Sequence, residues 1–212
     1  MILNLHFINS GGENTFPFFV LKYIHFDTKI LKFVKKQIMN NRVETALNEQ
    51  IKKEASSSQF YLAMASWAEN NGLNGTAKFM YSHSDEERFH MLKLVKFVNE
   101  RGGKAIIPAI EQPPVEFKNL KNVFELLLSH EISVTDSINN LVDICLQEKD
   151  YTTHNFVQWY VSEQLEEEAL ARLVLDKIKL IGNDNGGLYL FDRDLESSII
   201  QANNSNQMND GK

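Results

Sequence analysis

The chain has 212 residues, 43% hydrophobic and 10% aromatic, and a formal net charge of -6, which suits one globular domain with a sizeable core. That charge gives no basic field for nucleic acid, and no run approaches the roughly 18 apolar residues that a membrane-spanning helix needs. The single cysteine, Cys145, excludes a disulfide framework and a four-thiolate metal site, and points to a reducing, cytoplasmic setting.

Residues 1–38 stand apart. Asn9-Ser10-Gly11-Gly12, Phe16-Pro17-Phe18-Phe19 and a lysine-rich stretch from Lys32 to Lys36 follow no helical or strand period, and five lysines against Glu13 and Asp27 make the segment basic. It has neither the basic start nor the small-residue cleavage site of a secretory signal. The expectation is an N-terminal extension, disordered or produced by a misassigned start, with Met39 just before the first periodic segment.

From Asn41 to about Asn70, the residues Leu47, Ile51, Glu54, Ser58, Tyr61 and Ala65 recur in steps of three and four, and Asn70-Asn71-Gly72 supplies a stop. Asn74 is the expected cap of a second helix that ends near Arg101 at Gly102-Gly103. Its seam reads Met80, His83, Glu87, His90, Leu94 and Phe97. The short link predicts that the two helices pack antiparallel.

A connection from Gly102 to Lys118, with Pro108, Pro113 and Pro114, is too irregular for a helix. Extended, its residues reach roughly 56 Å, against about 42 Å for the second helix, so it can cross a whole bundle and leave helices two and three parallel. The third helix, Asn119 to about Lys149, carries Phe124, Leu127, Glu131, Val134, Ile138, Leu141 and Cys145 on its seam; the fourth, to about Ile181, carries Phe156, Tyr160, Glu163, Glu167, Leu170 and Val174. Asp192 is the expected cap of a short fifth helix ending near Gln201, and the polar tail, residues 203–212, is expected to be disordered. The domain proper therefore spans 39–202, an all-α four-helix bundle with a long crossover between helices two and three.

Glu54, Glu87, Glu131 and Glu167 each occupy a predicted core seam, with no Lys or Arg beside them on those seams. Most helical glutamates lie on a solvated face, and one Glu-x-x-His pair carries little weight. Four inward acids need countercharge, because desolvation costs several kcal/mol per ion and neighbouring carboxylates raise one another's pKa. Carboxylates with one imidazole suit Mn or Fe, and bridging carboxylates would support a dinuclear centre. The acids Glu86, Glu163 and Glu166 fit either metal contact or a wet helix face. Tyr61 lies two turns after Glu54 on the same stripe, near enough to donate a hydrogen bond or an electron, and Trp159 and Tyr160 follow the same logic. Cys145, His83, His130 and His154 are read as packing or surface residues.

Taken together, Asn48-Glu49-Gln50 through Glu54 and Tyr61, Glu86-Glu87-x-x-His90, His130-Glu131, and Gln158-Trp159-Tyr160-Val161-Ser162-Glu163-Gln164-x-Glu166-Glu167 make residues 39–201 resemble the bacterial non-haem ferritins, as does Gly187-Leu188-Tyr189 before the fifth helix. The resemblance implies one iron site of Glu54, Glu87 and His90, and a second sharing Glu87 and adding Glu131 and Glu167 with Gln164 close by. It implies a third, outlying site of Glu86, Glu163, Glu166 and Glu167, with Tyr61 and Trp159 as redox helpers. It further implies ferroxidase activity on Fe(II) with O2 or H2O2, storage of ferric mineral, no haem, and a homo-oligomeric cage of twenty-four with the fifth helix at fourfold contacts.

Val134 and Glu166 stand where a second Glu-x-x-His would put histidine, which separates the chain from bacterioferritins and tightly held diiron cofactor proteins. One cysteine separates it from rubrerythrin-like proteins. The competing expectations are a peroxide-detoxifying diiron protein and a non-catalytic structural or binding bundle.

Overall fold

The computed structural model describes the backbone of residues 39–209 and side chains through 197; the extension expected over residues 1–38 and the last three residues lie outside the described residues. Five helices, and no strand among those residues, make up the fold: α1 Asn41–Asn70, α2 Asn74–Glu100, α3 Leu120–Gln147, α4 Tyr151–Ile181 and α5 Asn185–Asn209.

Local chemistry sets most of the helix ends. The Asn40 side chain accepts from Arg42 N at 2.8 Å to cap α1, and Gly72 takes φ 73° after its last turn, a conformation open to glycine at little cost. Asn119 caps α3 through Asn122 N at 2.9 Å, and Asp150 caps α4 through Thr153 N at 3.0 Å while Arg101 grips both its oxygens. The start of α2 differs from expectation. Asn74 is its first helical residue rather than its cap, and Asp192 of α5 accepts from Gly75 N (2.9 Å), Thr76 N (2.8 Å) and the Thr76 hydroxyl (2.7 Å). A Cβ on Gly75 would lie 1.8 Å from the Asp192 carbonyl oxygen, so only glycine admits this docking. Orphaned amides at a helix start accept any well-placed carboxylate, including one 116 residues away.

Two apolar clusters fix the helix directions. Residues 39–51 of the α1 end join Leu94, Val98, Ile138, Leu141, Cys145, Val157 and Tyr160; residues 61–68 join Ala77, Met80, Val123, Phe124, Leu127, Val174 and Ile178. Helices α1 and α4 therefore run one way and α2 and α3 the other, and the extended crossover over residues 102–118 makes the parallel α2–α3 link. Between the clusters lies a layer of buried polar side chains: Glu54, Ser57, Ser58, His83, Ser84, Glu87, His90, Glu131 and Gln164. Serine pairs there, Ser58 Oγ to Ser84 O at 2.7 Å and Ser84 Oγ to Ser58 O at 2.8 Å, let α1 and α2 approach closely beside the acids.

The predicted seams of α1 and α3 are buried throughout, and α2 departs only at Phe97, half-buried and stacked on Phe156. The α4 seam is displaced by one residue at Phe156, Glu163 and Leu170 and lies as expected at Tyr160 and Val174. Val157, Tyr160, Gln164, Ala171, Val174 and Ile178 face inward, while Glu163 is half-buried and Leu170 exposed. Leucines at 165, 173 and 180 are also exposed, so apolar residues surround this helix on more than one face and blur its period. The fifth helix is the shortest, but it begins at Asn185, before the expected Asp192, and runs to Asn209, so the backbone of 203–209 is helical where the tail was expected to be disordered. No glycine or proline interrupts residues 188–210 to stop it.

Candidate metal centre

Helical spacing brings the inner ligands together. Glu87 and His90, three residues apart on α2, project from one face toward Glu54 of α1. Each is at most 5% exposed, and one ligand atom from each falls within 4.8 Å of the others. Gln50 and Ser137 orient this group: Ser137 donates to Gln50 Oε1 at 2.6 Å, and Gln50 Nε2 donates to Glu54 Oε1 at 2.8 Å. That leaves Glu54 Oε2 and Glu87 Oε2 buried with no hydrogen-bond partner.

An unpaired buried carboxylate oxygen costs on the order of 1–3 kcal/mol, and more when charged. Among the described residues no lysine or arginine pairs with Glu54, Glu87, Glu131 or Glu167; the ion-pair partners are His90 for Glu87, at 3.9 Å, and His83 for Glu167, at 3.4 Å. Burial, then the charge of Glu54, raises the Glu87 carboxyl well above the ordinary carboxylate range. Two orphaned oxygens beside an imidazole could hold a cation, and oxygen ligands with one nitrogen suit iron or manganese.

Glu131 of α3 completes the inner layer. The Tyr61 hydroxyl donates to its Oε1 and Gln164 Nε2 to its Oε2, the latter at 3.0 Å. Burial pushes the Glu131 carboxyl up to about 7; those two hydrogen bonds pull against the rise and the charge of Glu167 adds to it. Burial, then Glu131 itself, raises the Tyr61 phenol well above its ordinary value, so Tyr61 keeps its proton and donates. On α4, Glu167 turns toward His83. Burial works against its ionisation, yet the His83 hydrogen bond and charge hold the carboxyl below its usual value.

The expected outlying set is only partly assembled. Glu86 and Glu167 meet, but their third neighbour within 4.8 Å is His83, while half-buried Glu163 and exposed Glu166 lie outside the group. Trp159 sets its ring edge-on to His90 at 5.1 Å and carries the Lys93 ammonium 3.1 Å from its centre. The Tyr160 hydroxyl donates to the His90 carbonyl at 2.9 Å, anchoring the turn that bears this histidine.

Three participants had no role in the sequence reading. Gln50 and His83 carried a signal, each four residues before a seam glutamate, whereas Ser137 carried none. His130 fits the packing role expected of it: burial and Lys53 push it down to about 4, and it bonds Ser57 Oγ at 2.8 Å. Buried Cys145 does too, its thiol pushed up to about 11 by burial and Asp150.

Residues 44–181 match the family model of the ferritin-like domain. A probable bacterial non-heme ferritin-like protein of Haemophilus influenzae is 46% identical over 165 residues, 78% of this chain and all of that protein. A bacterial non-heme ferritin of Campylobacter jejuni is 46% identical over 163 residues, 77% of this chain and 98% of the relative. Among solved structures, an open pore ferritin from the hyperthermophilic archaeon Archaeoglobus fulgidus aligns with a TM-score of 0.73 at 42% identity, covering 74% of this chain and 96% of that one. With its four-helix bundle, long crossover and buried carboxylate–histidine group, this chain belongs to the ferritin family, among the bacterial non-haem ferritins.

Proposed function

We propose that the protein is a ferroxidase and iron store, taking up Fe(II), oxidising it with O2 or H2O2 at the inner group, and holding ferric mineral inside a cage of twenty-four subunits in the cytoplasm. The observation that carries this reading is the pair of orphaned oxygens, Glu54 Oε2 and Glu87 Oε2, buried beside His90. Iron is the substrate. Glu54, Glu87 and His90 bind one ion, and Glu87, Glu131 and Glu167, with Gln164 beside them, bind its neighbour, so that Glu87 bridges the two.

The chain's own groups prepare that encounter. Ser137 and Gln50 hold Glu54 in one orientation with its second oxygen free. Tyr61 and Gln164 do the same for Glu131 from two other helices. Burial raises the carboxyls of Glu87 and of Glu131, the latter to about 7, so a cation arriving there competes with protons. Two adjacent cations then stabilise negative charge developing on the oxidant. Tyr61 and Trp159 lie near enough to lend an electron. A single imidazole holds iron less permanently than the two of a resident diiron cofactor, which suits a site that iron passes through.

Assembly is supported by the large apolar side chains left on the surface of one subunit: Phe89, Ile107, Val115, Leu165 and Leu180 are each more than half exposed. No helix among the described residues is long and apolar enough to cross a membrane.

Anaerobic addition of Fe(II) followed by air tests the reading. Ferric absorbance is expected to rise much faster with the protein than without it, and Glu87→Ala with His90→Ala to lose most of that excess. An unchanged rate in the double variant overturns the assigned centre.

A further inference from the structure

Lys93 follows His90 by three residues, one turn further along the same face of α2. From there its Nζ reaches α4 and lies 3.1 Å from the centre of the Trp159 ring and 5.9 Å from that of Tyr160. The indole is held in place by three rings close to perpendicular to it: Tyr160 at 4.8 Å, His90 at 5.1 Å and Phe89 at 6.2 Å. A lysine on a helix surface ordinarily lays its stem on apolar neighbours and keeps its head in water. Here the head itself lies on the ring.

Among the described residues the ammonium takes part in no ion pair or hydrogen bond, so the indole face is its nearest partner. Burial lowers its pKa and the charge of Glu163 works against that fall. Lys93 is half-buried, and with one side left to solvent it keeps its charge at neutral pH.

The face of an indole is electron-rich and attracts a cation placed over it. Loss of one electron reverses this: the ring becomes positive, and two like charges then face each other at the same short distance, where water screens them poorly. The ammonium therefore favours the reduced ring and opposes the oxidised one.

We propose that Lys93 sets the oxidation potential of Trp159, holding the indole reduced against weak oxidants and so making it a reserve electron donor to the inner group. The proposal rests on the reading above that Trp159 lends an electron. In that step one electron leaves the indole for the O2 or H2O2 being reduced at the inner group. The ring is left as a radical cation with every bond intact, and a later Fe(II) returns the electron as it becomes Fe(III). Lys93 touches neither iron nor oxidant in this scheme; it acts through the ring. Without its ammonium the indole would yield to weaker oxidants as well.

The test needs no iron. The chain has two tryptophans, so in metal-free protein carrying Trp67→Phe the only indole is Trp159. Stopped-flow mixing with hexachloroiridate(IV), an anionic one-electron oxidant, is followed by loss of indole fluorescence. Lys93→Met keeps the length of the stem without its charge and is expected to speed that loss about tenfold or more. Lys93→Arg, which keeps a cation for the ring, should stay within about threefold of the parent. An anion is drawn toward a lysine, so through encounter alone removing Lys93 would slow the reaction, against the expected direction. A role confined to packing would not separate Met from Arg in this way. Should Lys93→Met lose helical circular dichroism, Lys93→Gln takes its place. Loss that is unchanged or slower in the uncharged variant, or as fast in Lys93→Arg as in Lys93→Met, overturns the proposal. The electron-lending reading fails separately, if electron paramagnetic resonance finds no indole radical when Fe(II) in the unmutated protein meets air.

Discussion

The inner group of Glu54, Glu87 and His90 and the outer group of His83, Glu86 and Glu167 use the same residue types in one polar layer, yet they hold their charge differently. Inside, every member is at most 5% exposed and two carboxylate oxygens have no hydrogen-bond partner. Outside, burial is graded from His83 to the half-exposed Glu86, and the acids are partly satisfied: Glu167 faces His83, and Glu86 accepts from Ser82 at 3.3 Å. Burial without partners makes the inner group dependent on a cation or on retained protons. The outer group depends less on a cation, because water reaches Glu86 and His83 pairs with Glu167.

Removing an acid from each group should give unequal results. Glu54→Ala is expected to slow the initial oxidation of Fe(II) about a hundredfold or more, and Glu86→Ala less than tenfold, in the same aerobic absorbance assay. Equal losses would erase the distinction between the groups.

Stability against pH separates them by sign. The folded Glu131 keeps a proton up to about pH 7, whereas an ordinary carboxyl near 4.5 has lost it. Its contribution is therefore full below about pH 4.5 and declines as pH rises through 7, by on the order of 3 kcal/mol. Glu167, with its pKa lowered, contributes stability above the ordinary carboxylate pKa and loses it as pH falls. Urea midpoints of the metal-free protein should drop between pH 5 and pH 8, with a divalent cation offsetting the drop and Glu131→Gln flattening it. A midpoint that rises over that range contradicts the inner group's assignment.

Two smaller changes probe orientation rather than charge. Tyr61→Phe removes the donor to Glu131 Oε1 and is expected to cost about 1–2 kcal/mol in stability and roughly tenfold in oxidation rate. Ser137→Ala acts one step further out, through Gln50, and should cost about 0.5–1.5 kcal/mol with a two- to threefold slower rate. If Ser137→Ala were the more damaging of the two, Glu54 rather than Glu131 would be the more sensitive of the two ligands.

How much of this was legible in the sequence follows from where the signal is local. Glu54, Glu87, His90 and Glu131 stood at positions that helical spacing reserves for leucine, and all four are buried as expected. On α4 the leucines at 165, 170, 173 and 180 spread apolar residues around the helix, so periodicity placed Glu163 inward where Gln164 is found. Asp192 read as the cap of its own helix because a carboxylate's partner helix is set by tertiary contact. His83 was passed over for a related reason: it sat on the α2 seam, but only Glu167, arriving from α4, gives its Nε2 an object.

The most direct test of the central claim is the position of iron itself. Crystals of the assembled protein soaked in Fe(II) without oxygen, measured on either side of the iron absorption edge, should show an ion bonded to Glu54 Oε2, Glu87 Oε2 and His90. Iron confined to other acids, with those two oxygens still unligated, would contradict the account.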